Sequence, residues 1–247
     1  MADELAFIQS LRALAPDPAA RGLADDAAVL RIGVETLVLT KDMMVEGVHW
    51  LPEQSLADVA WKLLAVNLSD LAAKGAEPVG VLLGYTIGGD DAAFLEGLQQ
   101  ALGTFDVPLL GGDTVSGEGP RTFSLTAIGR APHSPVPSRR GAQVGDAVYL
   151  CGSAGGAMMG FEALAKGGTA DVTPFTRPIA LLAEGRALAP LVTAMMDVSD
   201  GLLLDAWRMA EASRVTLALD SRAVPLAAPQ ARRNDALRWG DDYALLF

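Results

Sequence analysis

A single cysteine, Cys151, stands in 247 residues, so no disulfide can close within the chain. That usage reads as intracellular, and the expected location is cytoplasmic. Histidine is nearly as scarce. His49 and His133 are too few for a histidine-rich zinc centre. No apolar run reaches the roughly 18–20 residues that a membrane-spanning helix needs. The acidic N-terminal stretch lacks the charge pattern of a secretory leader. Positive charge is also short: 19 Lys and Arg face 30 Asp and Glu, for a net charge of -11. Such a chain is a poor electrostatic partner for nucleic acid or an anionic membrane. It suits cations, and an anionic substrate would need bridging metal ions. The chain also lacks G-x-x-x-x-G-K-[ST], G-x-G-x-x-G and G-x-S-x-G. These are the signatures of P-loop nucleoside triphosphatases, dinucleotide-binding enzymes and α/β-hydrolases.

What is present is a core-forming composition. Hydrophobic residues make up 51% and charged residues 20%, which excludes a disordered chain. The length allows one large domain or two small ones. Residues 3–15 read as an amphipathic helix with Leu5, Ile8, Leu11 and Leu14 on one face. Further helices are expected over 56–73, 90–102, 156–166, 179–188 and 202–213. Strands are expected over 34–40, 79–87, 107–110, 122–130, 147–151, 193–196 and 215–219. The alternation gives an α/β or α+β class. Pro132, Pro135 and Pro137 mark an extended crossing, which divides the chain into units 1–135 and 136–247.

The informative pattern is the placing of aspartates. Asp42, Asp113 and Asp197 fall near the ends of expected strands, where α/β sheets place ligands. Asp70 lies late in the long helix after Asn67 and Ser69, and Asp200 precedes the helix at 202. Converging short carboxylates supply the hard oxygen ligands that Mg²⁺ requires. Taken singly, each is as well explained as a turn or N-cap residue. Cys151 and the pairs Met43-Met44, Met158-Met159 and Met195-Met196 read as core. The segment Gly152–Gly160 could seat a phosphate at a helix N-terminus or be only a tight turn.

Six segments, in order, carry a resemblance: D-D-A-A-V over 25–29, T-K-D-M-M-V-E-G-V-H over 40–49, A-V-N-L-S-D-L-A-A over 65–73, G-G-D-T over 111–114, D-V-S-D-G-L over 197–202 and G-D-D-Y over 240–243. From about residue 20 to the last residue, the chain resembles the thiamine-monophosphate kinase family. Related families include aminoimidazole ribonucleotide synthetase, selenophosphate synthetase and a hydrogenase maturation factor. The resemblance implies an N-terminal α/β domain that dimerises through its sheet, and a C-terminal α/β domain with ATP lying between the two. It implies phosphorylation of thiamine monophosphate by ATP, with several Mg²⁺ ions and no general base. Asp26, Thr40, Asp42, Asp70, Asp113, Asp197 and Asp200 would hold the metal ions. Gly112, Asp113, Arg139 and Ser199 would contact the nucleotide. His49 and Asp241 would face the thiamine substrate. On its own, apart from the resemblance, His49 reads first as a satisfied loop histidine.

The chain also departs from that family. Lys41 replaces the usual Thr or Ser, and an ammonium there would repel Mg²⁺ or replace one ion. Ala24 and Ala244 replace a usual Gly and Glu, and the approach to Gly240 is short. The run Tyr243–Phe247 reads as an unfinished strand, and the family continues past it with an aromatic residue that stacks on the substrate. These departures keep two alternatives open: another ATP-dependent member of the superfamily, or an impaired homologue that binds nucleotide or thiamine phosphate.

Overall fold

The structure is a computed structural model that describes residues 2–247, with side chains from residue 6 onward. It opens with helix α1 (Ala2–Arg12), a 3-10 segment at Pro18–Leu23, strands β1 (Ala28–Ile32) and β2 (Glu35–Val45), and helix α2 (Leu56–Ala73). Strand β3 (Glu77–Thr86), helix α3 (Asp91–Phe105) and strands β4 (Leu109–Val115) and β5 (Thr122–Arg130) follow. Next come β6 (Leu150–Cys151), α4 (Gly156–Lys166), α5 (Thr173–Thr176), α6 (Leu182–Leu188) and β7 (Met196–Asp197). The last elements are α7 (Leu202–Ser213), α8 (Arg233–Ala236) and β8 (Leu245–Leu246). Two sheets result: a five-stranded sheet ordered β1-β2-β5-β3-β4, and a small one ordered β6-β8-β7.

Helix α2 is the centre of the molecule, and fourteen of its eighteen residues are buried. A helix with so little solvent face must be covered on every side. The five-stranded sheet covers one side through Val38, Val81, Phe123 and Leu125, with α3 adding Phe94 and Leu98. Elements α5, α6 and β7 cover the other, where Ala72 and Ala73 pack with Ala189, Met195 and Leu245. Leu63, Leu64 and Leu68 are wholly buried, and truncating any one to Ala costs about 2–5 kcal/mol. The second face of the large sheet has no such cover. Met43, Leu82 and Leu110 lie exposed there.

Several expectations shift. Strand β4 runs through Gly111, Gly112 and Asp113 instead of ending before them, because its parallel pairing with β3 continues to Val115. Asp42 likewise sits inside strand β2, whereas Asp197 ends strand β7 as expected. The apolar run 215–219 forms no strand. Strand β6 keeps two residues of the expected five, and the helix expected over 179–188 begins only at Leu182. The run after Tyr243 does form a strand, and β8 is the middle strand of its sheet. In α1, Ile8 and Leu11 are half-buried, Leu14 lies exposed past the helix end, and the Leu5 side chain is outside the described residues.

Candidate active site

Three residues of α2 fix three parts of the site. Asn67 donates through Nδ2 to the Leu63 carbonyl at 2.8 Å, which aims its Oδ1 at β2. That oxygen accepts the Asp42 backbone N–H at 3.0 Å. Ser69 donates its hydroxyl to Asp197 on β7 at 2.7 Å. Asp70 accepts the hydroxyl of Thr40. Alternation along β2 points Thr40 and Asp42 inward with Val38 and Met44. The N-L-S-D motif is therefore a bracket that gathers Asp42, Asp70 and Asp197 from a helix and two sheets.

These carboxylates are costly where they stand. Asp70 is pushed well above the usual carboxylate range, first by burial and then by Asp197, Asp42 and Asp26. Asp197 is pushed up to about 7 by burial and the charge of Asp26, against the Ser69 hydrogen bond. Burial also raises Asp42, although His49 counters it. Among the described residues no cationic side chain forms an ion pair with any of the three. A set of hard oxygens raised in this way fits Mg²⁺, whose charge would relieve it. Still, among the described residues no three Asp, Glu, His or Cys groups are gathered tightly enough to hold an ion.

Asp25 and Asp26 lie beside this set in a network of their own. Lys74, one helical turn past Asp70, places its ammonium 2.6 Å from both carboxylates. Arg21 pairs with Asp25, and Arg139 with the second oxygen of Asp26. Burial alone would raise Asp25, but Lys74 and Arg21 hold it well below the usual range. Arg139 Nε is buried without a partner, a donor left over for an anionic oxygen. Sequence reasoning passed over Lys74, though a lysine within L-A-A-K-G-A was a signal.

The cluster opens into a cavity of about 640 Å³ between the two halves, also lined by His49, Ser199, Asp200 and Asp241. The V-E-G-V-H segment enters it as a tight turn. Gly47 has φ +75°, and the N–H groups of Gly47 and His49 close the turn on Trp50 and Val45 at 2.9 Å each. His49 accepts the Val45 N–H on Nδ1 at 3.0 Å, so it is both a satisfied turn histidine and a cavity residue. Asp241 pairs with Lys62 of α2 at 3.0 Å and accepts the Tyr243 hydroxyl at 2.9 Å. The Lys62 ammonium also lies 3.8 Å over the Phe175 ring. Phe161 packs on both Phe175 and Trp239, at 5.3 and 5.2 Å, to form an aromatic wall. Lys62 and this wall had no signal in the sequence beyond their residue types.

Other expected site residues stand elsewhere. Lys41 was expected beside the metal cluster. It is exposed on the opposite face of β2 from Thr40 and Asp42, because neighbouring strand residues point to opposite faces. Asp113 pairs with Gly84, which lies in one row across the sheet with Ser124 and Met43, so it shares that open face. Three strand spacings put it about 14 Å from β2. Within one chain it does not join the other carboxylates. Gly112 has a packing role: a Cβ there would fall 1.9 Å from the Leu83 carbonyl. Asp200 reaches the cavity but is exposed and paired with Arg208. The N-terminus of α4 is no vacant phosphate seat, since Asp242 accepts the N–H groups of Gly155 and Ala157 at 2.7 and 3.1 Å. Cys151 is half-buried, and burial and Glu184 push its thiol up, away from nucleophile chemistry.

The chain is similar to known proteins in both sequence and fold. Residues 24–131 match the AIR synthase related protein N-terminal domain, and residues 143–247 match the C-terminal domain of the same group. The thiamine-monophosphate kinase of Escherichia coli K12 is 35% identical over 246 residues, which cover 92% of this chain and 75% of the relative. That of Caulobacter vibrioides is 43% identical over 224 residues, with 85% of this chain and 63% of the relative covered. The chain thus spans between three-fifths and three-quarters of the curated relatives it matches. Among solved structures, "AaThiL complexed with AMPPCP and TMP" superposes with a TM-score of 0.89 at 27% identity, covering 99% of this chain and 84% of that one. The thiamine-monophosphate kinase of Stenotrophomonas maltophilia gives 0.80 at 34% identity, covering 97% and 83%. On these matches, and on the order of its acidic motifs, the chain belongs to the thiamine-monophosphate kinase family.

Proposed function

We propose that this chain is an ATP-dependent kinase that converts thiamine monophosphate to thiamine diphosphate by direct transfer of the γ-phosphoryl group. The observation that carries the reading is the gathering of Asp42, Asp70 and Asp197 around one cavity, with no ion-paired cation among the described residues. Two polyanionic reactants cannot approach such a surface without added positive charge. Bound Mg²⁺ would neutralise phosphate charge and align the reactants in line. Asp42, Asp70 and Asp197, with the Thr40 oxygen, are the residues placed to hold it, and Asp200 stands at the rim.

The chain's own residues do the positioning. Asn67 fixes the backbone of Asp42, Ser69 orients Asp197, and Thr40 orients Asp70. An anionic phosphate oxygen of thiamine monophosphate attacks the γ-phosphorus, and the bond to the β-γ bridging oxygen breaks to release ADP. That oxygen carries no proton to lose, so no general base is required. Arg139, with its unpartnered Nε, and Ser199 are the nucleotide contacts of this reading. His49 and Asp241, with the aromatic wall, face the thiamine moiety.

Two further parts belong to the proposal. The chain forms a homodimer through the open face of its large sheet, where Met43, Leu82 and Leu110 are exposed. Only in such a dimer would Gly112 and Asp113 serve as nucleotide contacts, facing the partner. The chain also divides at 135/136 into two units in a cytoplasmic protein. Sedimentation tests the dimer, and a purely monomeric protein would refute it. Incubation with ATP, Mg²⁺ and thiamine monophosphate tests the reaction, and absence of thiamine diphosphate would refute that.

A further inference from the structure

Two adjacent carboxylates, Asp25 and Asp26, are nearly sealed from solvent, with side chains only 2% and 3% exposed. Such a pair requires compensating cations. Each of the four carboxylate oxygens has one. Asp25 takes Lys74 on Oδ1 and Arg21 on Oδ2, and Asp26 takes Arg139 on Oδ1 and Lys74 on Oδ2. Lys74 is wholly buried and bridges the two carboxylates at 2.6 Å each. A metal ion at Asp26 would be a third cation there, set against a buried ammonium that cannot move into solvent. The family resemblance makes Asp26 a metal ligand, and this arrangement disagrees with that role.

We propose that Lys74 is a built-in counter-cation that takes the place of one divalent ion at Asp26. Asp26 is then a positioning residue that locks Arg139 and the 25–26 segment in place, and the metal-binding carboxylates are those of Asp42, Asp70 and Asp197. The benefit is a permanent positive charge at one end of the cluster, independent of metal supply. Its cost is one coordination position. The inference rests on the metal-assisted reading above.

The test is a count of bound ions in the full chain, with Mn²⁺ as the spectroscopic probe and a non-hydrolysable ATP analogue present. Wild type, D26N, K74M and the double variant are compared, without any need for turnover. D26N should bind as many ions as wild type, and K74M should bind one more. The added ion should vanish again when D26N is combined with K74M. A loss of one ion in D26N alone would overturn the proposal, as would a folded K74M that gains none. Should K74M fail to fold, the comparison of D26N with wild type decides by itself. Wild type that binds no Mn²⁺ would overturn the metal-assisted reading as well, which separates the two failures.

Discussion

Ser69 and Asp197 meet at 2.7 Å across 128 residues of sequence, a hydroxyl of α2 donating to a buried carboxylate of β7. This contact ties the N-terminal sheet-and-helix layer to the small second sheet and sets the orientation of a carboxylate that the proposed function makes a metal ligand. Removing it in Ser69→Ala leaves the carboxylate short of a donor, which costs about 1.5–3 kcal/mol. The melting temperature should fall by several degrees. Mg²⁺ should bind more weakly at neutral pH, because Asp197 would hold its proton still more tightly. Ser69→Thr keeps the donor and should restore both. Equal melting temperatures for Ser69→Ala and wild type would show that the bond contributes nothing.

The raised carboxylates make stability depend on pH and metal together. Asp197 moves from 3.8 up to about 7, and Asp70 and Asp42 also rise, chiefly through burial. Between about pH 4 and 7 the folded protein therefore binds more protons than the unfolded chain, and stability falls as pH rises through that window. Mg²⁺ competes with those protons. Thermal unfolding without metal should show a decline from pH 5 to 8, and added Mg²⁺ should raise the melting temperature more at pH 8 than at pH 5. A metal-induced shift of equal size at both pH values would contradict the assignment.

Lys62 is predicted to matter for substrate binding more than for transfer. Its ammonium holds Asp241 at 3.0 Å, and burial pushes its own proton affinity down against that carboxylate. Lys62→Met removes the partner and leaves Asp241 free to move. KM for thiamine monophosphate should rise about tenfold, the equivalent of ~1.4 kcal/mol, with kcat changed less. Lys62→Arg should recover part of the loss. A variant that lowers kcat at unchanged KM would place Lys62 in the transfer step instead.

Asp242 is expected to be structural. Its carboxylate caps two N–H groups at the start of α4, although burial raises it to about 6. Asp242→Ala should cost about 1–2 kcal/mol. That corresponds to a fall of roughly 2–8 °C in melting temperature. Inorganic phosphate should not restore it. Restoration by phosphate would revive the anion seat that the capping bonds rule out.

The sequence shows the fold where apolar pattern decides it. The run from Leu56 to Ala73 and the run from Leu202 to Ser213 are helices over those same residues. The acidic motifs at 40–49, 65–73 and 197–202 do converge, since each lies where an element meets α2. What could not be read was the side of the sheet on which a residue stands. Lys41 lies within a cluster motif and Asp113 follows an expected strand end, yet strand alternation and register put both on the open face. The glycines before Asp113 looked like a strand end, whereas pairing with β3 carries the strand through them. Lys62 and Lys74 resemble ordinary solvent-facing charges on a helix. They are buried because segments far along the chain close over them: Asp25 and Asp26 over Lys74, and Phe175 and Asp241 over Lys62.

The most direct test is turnover by the chain and by one altered ligand. With ATP, Mg²⁺ and thiamine monophosphate, wild type should yield thiamine diphosphate and ADP in equal amounts. Asp42→Asn, which keeps the shape and the backbone bond to Asn67, should lose at least about a hundredfold in kcat while remaining folded. Thiamine diphosphate formed at the wild-type rate by Asp42→Asn, or none formed by wild type, would contradict the account.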